Sequence, residues 1–356
     1  MSHELRATVV TAAAGMALAE RAAATCTSTG FAGSLAWLQA AKRVLGRDQL
    51  VHLALSHADA DAAIGCLTLQ RTRADWRSGS PGRATLTWPM AAIGFGFAPH
   101  WFGAPAPDAW LPAVQRTFPD HRLELRRCAT ASVPTTLSAP FECTEGIGTW
   151  VLANPGGSEQ WLASLYGKHR RDLAKYRRDI QKAGGVWVDT DSADPELLDA
   201  CFQLHRARLQ DKGKQSAYFV ATVESFLRAL AELTAGKGLR LSLLRREGRY
   251  IAACLSFVHR RRFEAFVSGW DRAHARLDLG RQVLYHQLLA ELPRGLDEID
   301  FLGGDLAYKR EFGLQKQATV DAVCHGSRLA TLRAHVVAGA LQVYRRTRQR
   351  MPQEAR

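Results

Sequence analysis

The chain has no CxxC pair among its seven cysteines (Cys26, Cys66, Cys128, Cys143, Cys201, Cys254 and Cys324). No Cys/His pair has ligand spacing either, so no zinc or other metal site is expected. An odd number of cysteines cannot pair completely within one chain, which points to a reducing, cytoplasmic setting. Also missing is any run of roughly 18 to 20 apolar residues, the length a membrane-spanning helix needs. The nearest stretch, ATVVTAAAGMALA (Ala7–Ala19), is Ala-rich and weakly hydrophobic, and Glu4 interrupts what would be a basic leader. It reads as part of a packed helix over Ala7–Ala24 rather than a signal peptide. No short-period repeat is visible.

At 356 residues the chain exceeds one ordinary core, and two domains are expected. Its residues are 47% hydrophobic and 23% charged, the balance of a folded protein. The formal charge of +13, with a pI near 9.8, favours an anionic partner. A coenzyme A pyrophosphate, a nucleic acid and an acidic membrane face all qualify.

Periodicity and punctuation place the elements. Ser34 caps a helix over Ser34–Leu45. Val51–Leu55 and Ala63–Gln70 read as paired strands joined by HADAD, with further strands at Ala84–Trp88 and Leu123–Arg127. IGFGFAPHWFGAPAP between them reads as a loop. Asn154-Pro155-Gly156-Gly157 marks a boundary, after which Ser158 caps a long helix to Ala183. A strand at Val186–Asp189, helices at Pro195–Gln210 and Thr222–Thr234, and strands at Leu239–Arg245, Tyr250–His259 and Phe263–Trp270 follow. The joints REG and HRRR are short enough for hairpins. A helix from Gly280 to Leu292 and strands at Glu298–Leu302 and Thr319–His325 complete a mixed α/β unit. The tail, Arg328–Met351, reads as a basic amphipathic helix. The expected division is 1–153, 154–327 and 328–356.

Phe266–Gly313 holds the chemistry-bearing residues. A helix that starts at Gly280 after a strand presents N–H groups and a positive dipole end to an anion, with Arg281 adding charge; the same pattern also describes an ordinary helix start with an exposed Arg. Asp305 follows two glycines at a strand end, where it suits a base, an amine anchor or a helix cap. His205 and Arg208 lie three apart on one helix and share a face. Histidine has the pKa of a general base, and arginine binds carboxylate or phosphate; a satisfied or exposed histidine is the commoner outcome of such a pattern. The helix Lys168–Lys182 carries seven Lys/Arg against two Asp, either a solvated face or a tracking surface for tRNA or a CoA 3′-phosphate. The tail helix suits contact with an anionic membrane surface or a plain basic end.

Several segments together resemble the GNAT-fold acetyltransferase domain of the CelD/BcsL group, and more distantly FemAB-type aminoacyl transferases. They are KHRRDLAKYRRDIQKAGG (Lys168–Gly185), LHRARLQDKG (Leu204–Gly213), SGWD…LDLGRQVLYHQLL (Ser268–Leu289) and DFLGGDLAYKREFG (Asp300–Gly313). The resemblance covers Trp161–Ser327, and FAGSLAWLQAAKRVLG (Phe31–Gly46) is similar to the opening of such proteins. It implies tandem GNAT-like acyltransferase domains, the first degenerate, each with a mostly antiparallel central sheet flanked by helices.

The activity implied is acyl transfer from acyl-CoA to an amine by direct attack in a ternary complex, with no metal. The donor would lie where two central strands splay, its pyrophosphate on Gly280, Arg281 and Gln282. LDLGRQ contains one glycine where GNAT enzymes usually carry a glycine-rich loop. Lys309 of YKREFG, otherwise a solvated surface lysine, matches the FemAB-type lysine that stabilises the donor or developing charge, and Tyr308 suits packing or protonation of the leaving thiolate, a role other GNAT enzymes give to tyrosine. Arg208, with Trp270 and Asp271 of SGWD, is expected to bind substrate. An aminoacyl-tRNA-dependent transferase and a non-catalytic component of a polysaccharide or lipid assembly are the alternatives; DNA is not an expected partner.

Overall fold

The computed structural model describes residues 4–25, 31–72, 84–95, 97, 99–102, 110–130, 141–210, 221–304, 306–325 and 336. The expected tail helix lies outside the described residues except for Val336. In chain order the elements are β1 (Leu5–Val10), α1 (Ala12–Thr25), α2 (Leu35–Val44), β2 (Leu50–His57), β3 (Ala63–Thr72), β4 (Thr85–Thr87) and β5 (His100–Trp101). Then come α3 (Trp110–Thr117), β6 (Arg122–Ala129), β7 (Phe141–Glu145), β8 (Thr149–Ala153), α4 (Ser158–Ser164), α5 (Gly167–Lys182), β9 (Val186–Thr190), α6 (Pro195–Gln210) and α7 (Ala221–Thr234). The last are β10 (Leu239–Arg246), β11 (Arg249–His259), β12 (Arg262–Trp270), α8 (Leu279–Glu291), β13 (Glu298–Asp300), α9 (Ala307–Glu311), β14 (Gln315–Gln317) and β15 (Thr319–Cys324). Among the described residues no helix is long and apolar enough to cross a membrane.

Two mostly antiparallel sheets flanked by helices make a mixed α/β fold, as the sequence pattern implies. The first runs β1-β2-β3-β4-β6-β15-β7, with β5 on β3, and the second runs β14-β8-β13-β12-β11-β10-β9. The chain passes between the sheets twice, side by side. β7 pairs with β15 in the first sheet, and the continuations β8 and β14 pair in the second. Gly146 N–H donates to Thr319 O at 2.8 Å where the two passages meet. Thus β8, before the expected boundary at Asn154, pairs in the second sheet, and β15, after it, pairs in the first.

Three expectations change. Within IGFGFAPHWFGAPAP, expected as a loop, His100–Trp101 forms β5 against β3. The helix expected over Ala7–Ala24 is strand to Val10, because Thr8, Val9 and Val10 favour a pleated edge; the helix starts only after Thr11, whose Oγ1 accepts from Ala14 N–H. The helix expected over 158–183 breaks at extended Leu165, giving α4 and α5. Ser158 is its first residue, and Asn154 Oδ1 accepts the Gly156 and Gly157 amides instead.

The halves share one core. Trp37 of α2 meets Phe226 of α7 with ring centroids 4.7 Å apart, and its Nε1 donates to Pro89 O. Phe31 stacks on Phe257, and its N–H donates to Glu264 Oε1 at 3.0 Å. Glu264 belongs to a buried charge cluster in which Arg262 meets Glu264, Glu298 and Asp300. Burial raises Glu264 to about 7, against the pull of Arg262, and raises Asp300 as well.

Two outcomes follow. The folded state holds the Glu264 proton more tightly, so that contribution to stability is complete below the ordinary value of 4.5 and is lost as pH rises through about 7. Urea unfolding between pH 5 and 8 shows stability declining by at most about 1.4 kcal/mol per pH unit, and Glu264→Gln flattens that slope. Gly269 of β12 lets α6 lie directly on the sheet: a Cβ there would stand 2.2 Å from His205 N and 2.4 Å from Leu204 C. Gly269→Ala therefore destabilises by on the order of 3 kcal/mol in the same assay.

Candidate active site

β12 and β13 run parallel for three residues only, Arg262–Glu264 against Glu298–Asp300. Beyond them β12 stays with β11 as far as Trp270, whereas the next residues stay with β8: Phe301 N–H donates to Trp150 O and Trp150 N–H to Leu302 O. The strands part, and a cavity of about 310 Å³ opens between 265–268 and 301–304. A register shift against β11 leaves Phe266 as a bulge on the cavity wall.

The turn after β13 is held from both ends. Leu302 is left-handed, with φ 53°, and Gly304 has φ 90°. Asp300 Oδ1 accepts the Leu302 amide at 2.6 Å. From α9, Lys309 (1% exposed) donates Nζ–H to the carbonyls of Phe301, Leu302 and Gly303 at 2.7, 3.0 and 2.7 Å. An ammonium has three N–H donors, and the turn offers three acceptors. Lys309 thus lines the cavity as a group that shapes its floor.

His205 and Arg208 enter from α6. His205 Nδ1 lies 2.8 Å from Ser268 O; a carbonyl only accepts, so Nδ1 carries the proton and Nε2 is the basic nitrogen of the neutral ring. Burial lowers the His205 pKa, the Ser268 bond opposes this, and nearby Arg208 lowers it further. Arg208 Nη1 donates to Ser268 O and Oγ at 3.1 and 3.2 Å, and its guanidinium lies 3.7 Å from the Trp270 ring centroid. Tyr308 also lines the cavity, and burial pushes its phenol up to about 12, partly offset by Arg208. Cys254 stands on the β11 wall with its thiol likewise raised to about 12 by burial.

His205, Arg208, Tyr308 and Lys309 are therefore brought together. Gly280, Arg281 and Gln282 lie off the cavity wall. A Cβ at Gly280 would stand 2.7 Å from Trp270, so the indole lies across this helix start behind Arg208. The Arg281 and Gln282 amides both donate to Asp278 O, the Arg281 guanidinium is held by Asp278 and Glu311, and Gln282 is buried with Nε2 donating to Leu173 O. Asp271 caps the 3₁₀ turn Arg272–Leu277, accepting from Ala273 N–H at 2.9 Å. Asp305 lies outside the described residues.

The first half supplies wall residues that no local motif marks. Phe95 rests on Gly303, where a Cβ would come within 2.5 Å of its ring. The Arg127 guanidinium lies 4.6 Å from the Phe95 ring centroid and donates to Ala92 O at 3.0 Å. Ile147, at the passage between the sheets, also lines the cavity.

Residues 167–310 match the acetyltransferase (GNAT) domain family. That span contains both parted strands, α8 and the residues gathered from α6 and α9. Solved structures extend the fold likeness over most of the chain. FemX superposes with TM-score 0.64 at 9% identity, covering 92% of this chain and 100% of that one. The C-terminal domain of a putative lysylphosphatidylglycerol synthetase from Agrobacterium fabrum gives 0.56 at 12% identity, covering 92% and 96%. L-PGS from Bacillus licheniformis gives 0.50 at 10% identity, covering 78% and 87%. These likenesses concern the fold. Comparison with curated proteins by sequence finds no match.

Lys309→Met removes three charge-assisted bonds from the turn and leaves three carbonyls to find water. Chemical denaturation should show a loss on the order of 3 kcal/mol. Lys309→Arg should not restore it, because a planar fork cannot aim three N–H groups from one atom.

Proposed function

We propose that the chain is an N-acyltransferase that moves an acyl group onto an amine in the cavity between the parted strands. The observation that carries this reading is that His205, Arg208, Tyr308 and Lys309 line one cavity at the strand parting of a GNAT-matched segment. The amine nitrogen attacks the acyl carbon, forming the N–C bond. The C–S bond of a thioester donor breaks, and sulfur leaves with the electron pair. His205 Nε2 takes the amine proton, and Tyr308, protonated at neutral pH, supplies one to the thiolate. The bulge at Phe266 takes backbone out of the ladder where the acyl oxygen needs a donor. Lys309 keeps the opposite wall in place. The first half acts as a degenerate copy whose part is to close the cavity, and the CelD/BcsL group is the branch proposed.

Acyl-CoA is the donor first proposed, on the strength of the family match. A second reading, an aminoacyl-tRNA ester, is favoured by two observations. Trp270 lies across Gly280 while Arg281 is neutralised by two carboxylates. In addition, α5 exposes Lys168, Arg170, Arg171, Lys175, Arg178 and Lys182. Thiol release from acetyl-CoA and longer acyl-CoAs, run beside transfer from charged tRNA, separates them. Absence of transfer from both removes the enzyme reading in favour of a binding component.

With the productive donor, the acid limb of kcat/KM should fall below pH 6.5, because burial disfavours the imidazolium and the base works only when neutral. His205→Asn should lower kcat by about 100-fold or more and abolish that limb. An unchanged pH profile removes His205 from the proposed role.

A further inference from the structure

Several part-buried arginines here face carboxylates. Arg262 meets Glu264, Glu298 and Asp300, Arg240 meets Glu291, and Arg281 meets Asp278 and Glu311. Arg208 differs. Among the described residues it forms no ion pair; its polar partners are the Ser268 carbonyl and hydroxyl, and its buried Nε has no hydrogen-bond partner. Among the described residues of the cavity wall that it lines there is no Asp or Glu. A buried cation without a counter-charge costs several kcal/mol.

We propose that the acceptor brings an anion to Arg208: the amine acylated here belongs to a molecule with its own carboxylate, which pairs with the guanidinium. This rests on the acyl-transfer reading for its chemistry and on Arg208 for its specificity. His205 and Arg208 contact the same oxygen, Ser268 O, at 2.8 and 3.1 Å from successive turns of α6. With both side chains tied to one carbonyl, an amine offered to the imidazole and a carboxylate offered to the guanidinium belong on one small molecule, and an α-amino acid carries both. Phe95, Phe266, Leu302 and Leu306 offer the side chain an apolar wall. Arg208 takes no part in bond making, and the product is an N-acyl amino acid whose carboxylate stays where it was bound.

The test is binding and turnover of L-phenylalanine and L-leucine beside their carboxamides and phenethylamine, using the full chain. Calorimetric binding needs no donor, so it stands even where no acyl-CoA or charged tRNA is turned over. The amino acids are expected to bind about 30-fold tighter than the amides. Arg208→Gln should erase that difference by weakening the acids alone, with Arg208→Lys intermediate. Equal binding of acid and amide to the native chain overturns the inference without any variant, as does failure of both amino acids to bind. With an active donor, an Arg208→Gln effect on the donor KM rather than the acceptor KM also overturns it, assigning the anion to donor phosphates. Amino-acid binding without transfer from either donor would instead sink the acyl-transfer reading and leave the Arg208 subsite standing.

Discussion

The cavity depends on a clamp around four residues. Where β13 ends, the chain must leave the β12 ladder, turn through a left-handed Leu302 and still satisfy a row of carbonyls facing inward. The Asp300 carboxylate fixes the amide side of that turn, and the Lys309 ammonium fixes the carbonyl side. Neither charge is solvated, so each relies on the other side of the turn staying in place. The parted strands, the room between them and the wall presented to α6 all follow from this geometry.

Much of the second half was legible in the sequence because its contacts are local. REG and HRRR announce two tight hairpins, and both turns do run through left-handed residues, Glu247 and Gly248 in one and Arg260 and Arg261 in the other. The Ser34 cap of α2 and the bounds of α6 were equally readable. What failed was local competition and long-range pairing. Thr8, Val9 and Val10 were hidden inside an Ala-rich run that continues as helix. That β15 pairs with β6 and β7 depends on residues nearly two hundred positions apart, which no window of sequence reports.

The same division holds at the cavity. His205 and Arg208 share a helical face, and Tyr308 and Lys309 share a motif, so their proximity could be anticipated. Arg127, Phe95 and Ile147 arrive from the other half, where nothing about them marks a binding wall. The approach of Trp270 to Gly280 is a matter of which way one large ring turns, and such neighbours bear on whether a helix start can receive a phosphate. Sequence proposes such a seat; packing decides its access.

The paired passages between the sheets have a consequence for biosynthesis. β15 lies between β6 and β7, so the first sheet lacks an interior strand until residue 324 has left the ribosome. The N-terminal half must therefore wait with open strand edges while the whole second sheet is being made, a period in which unpaired edges invite association. Domain-by-domain folding from the N-terminus is closed to this topology: the last of the described strands to be synthesised completes the first sheet begun.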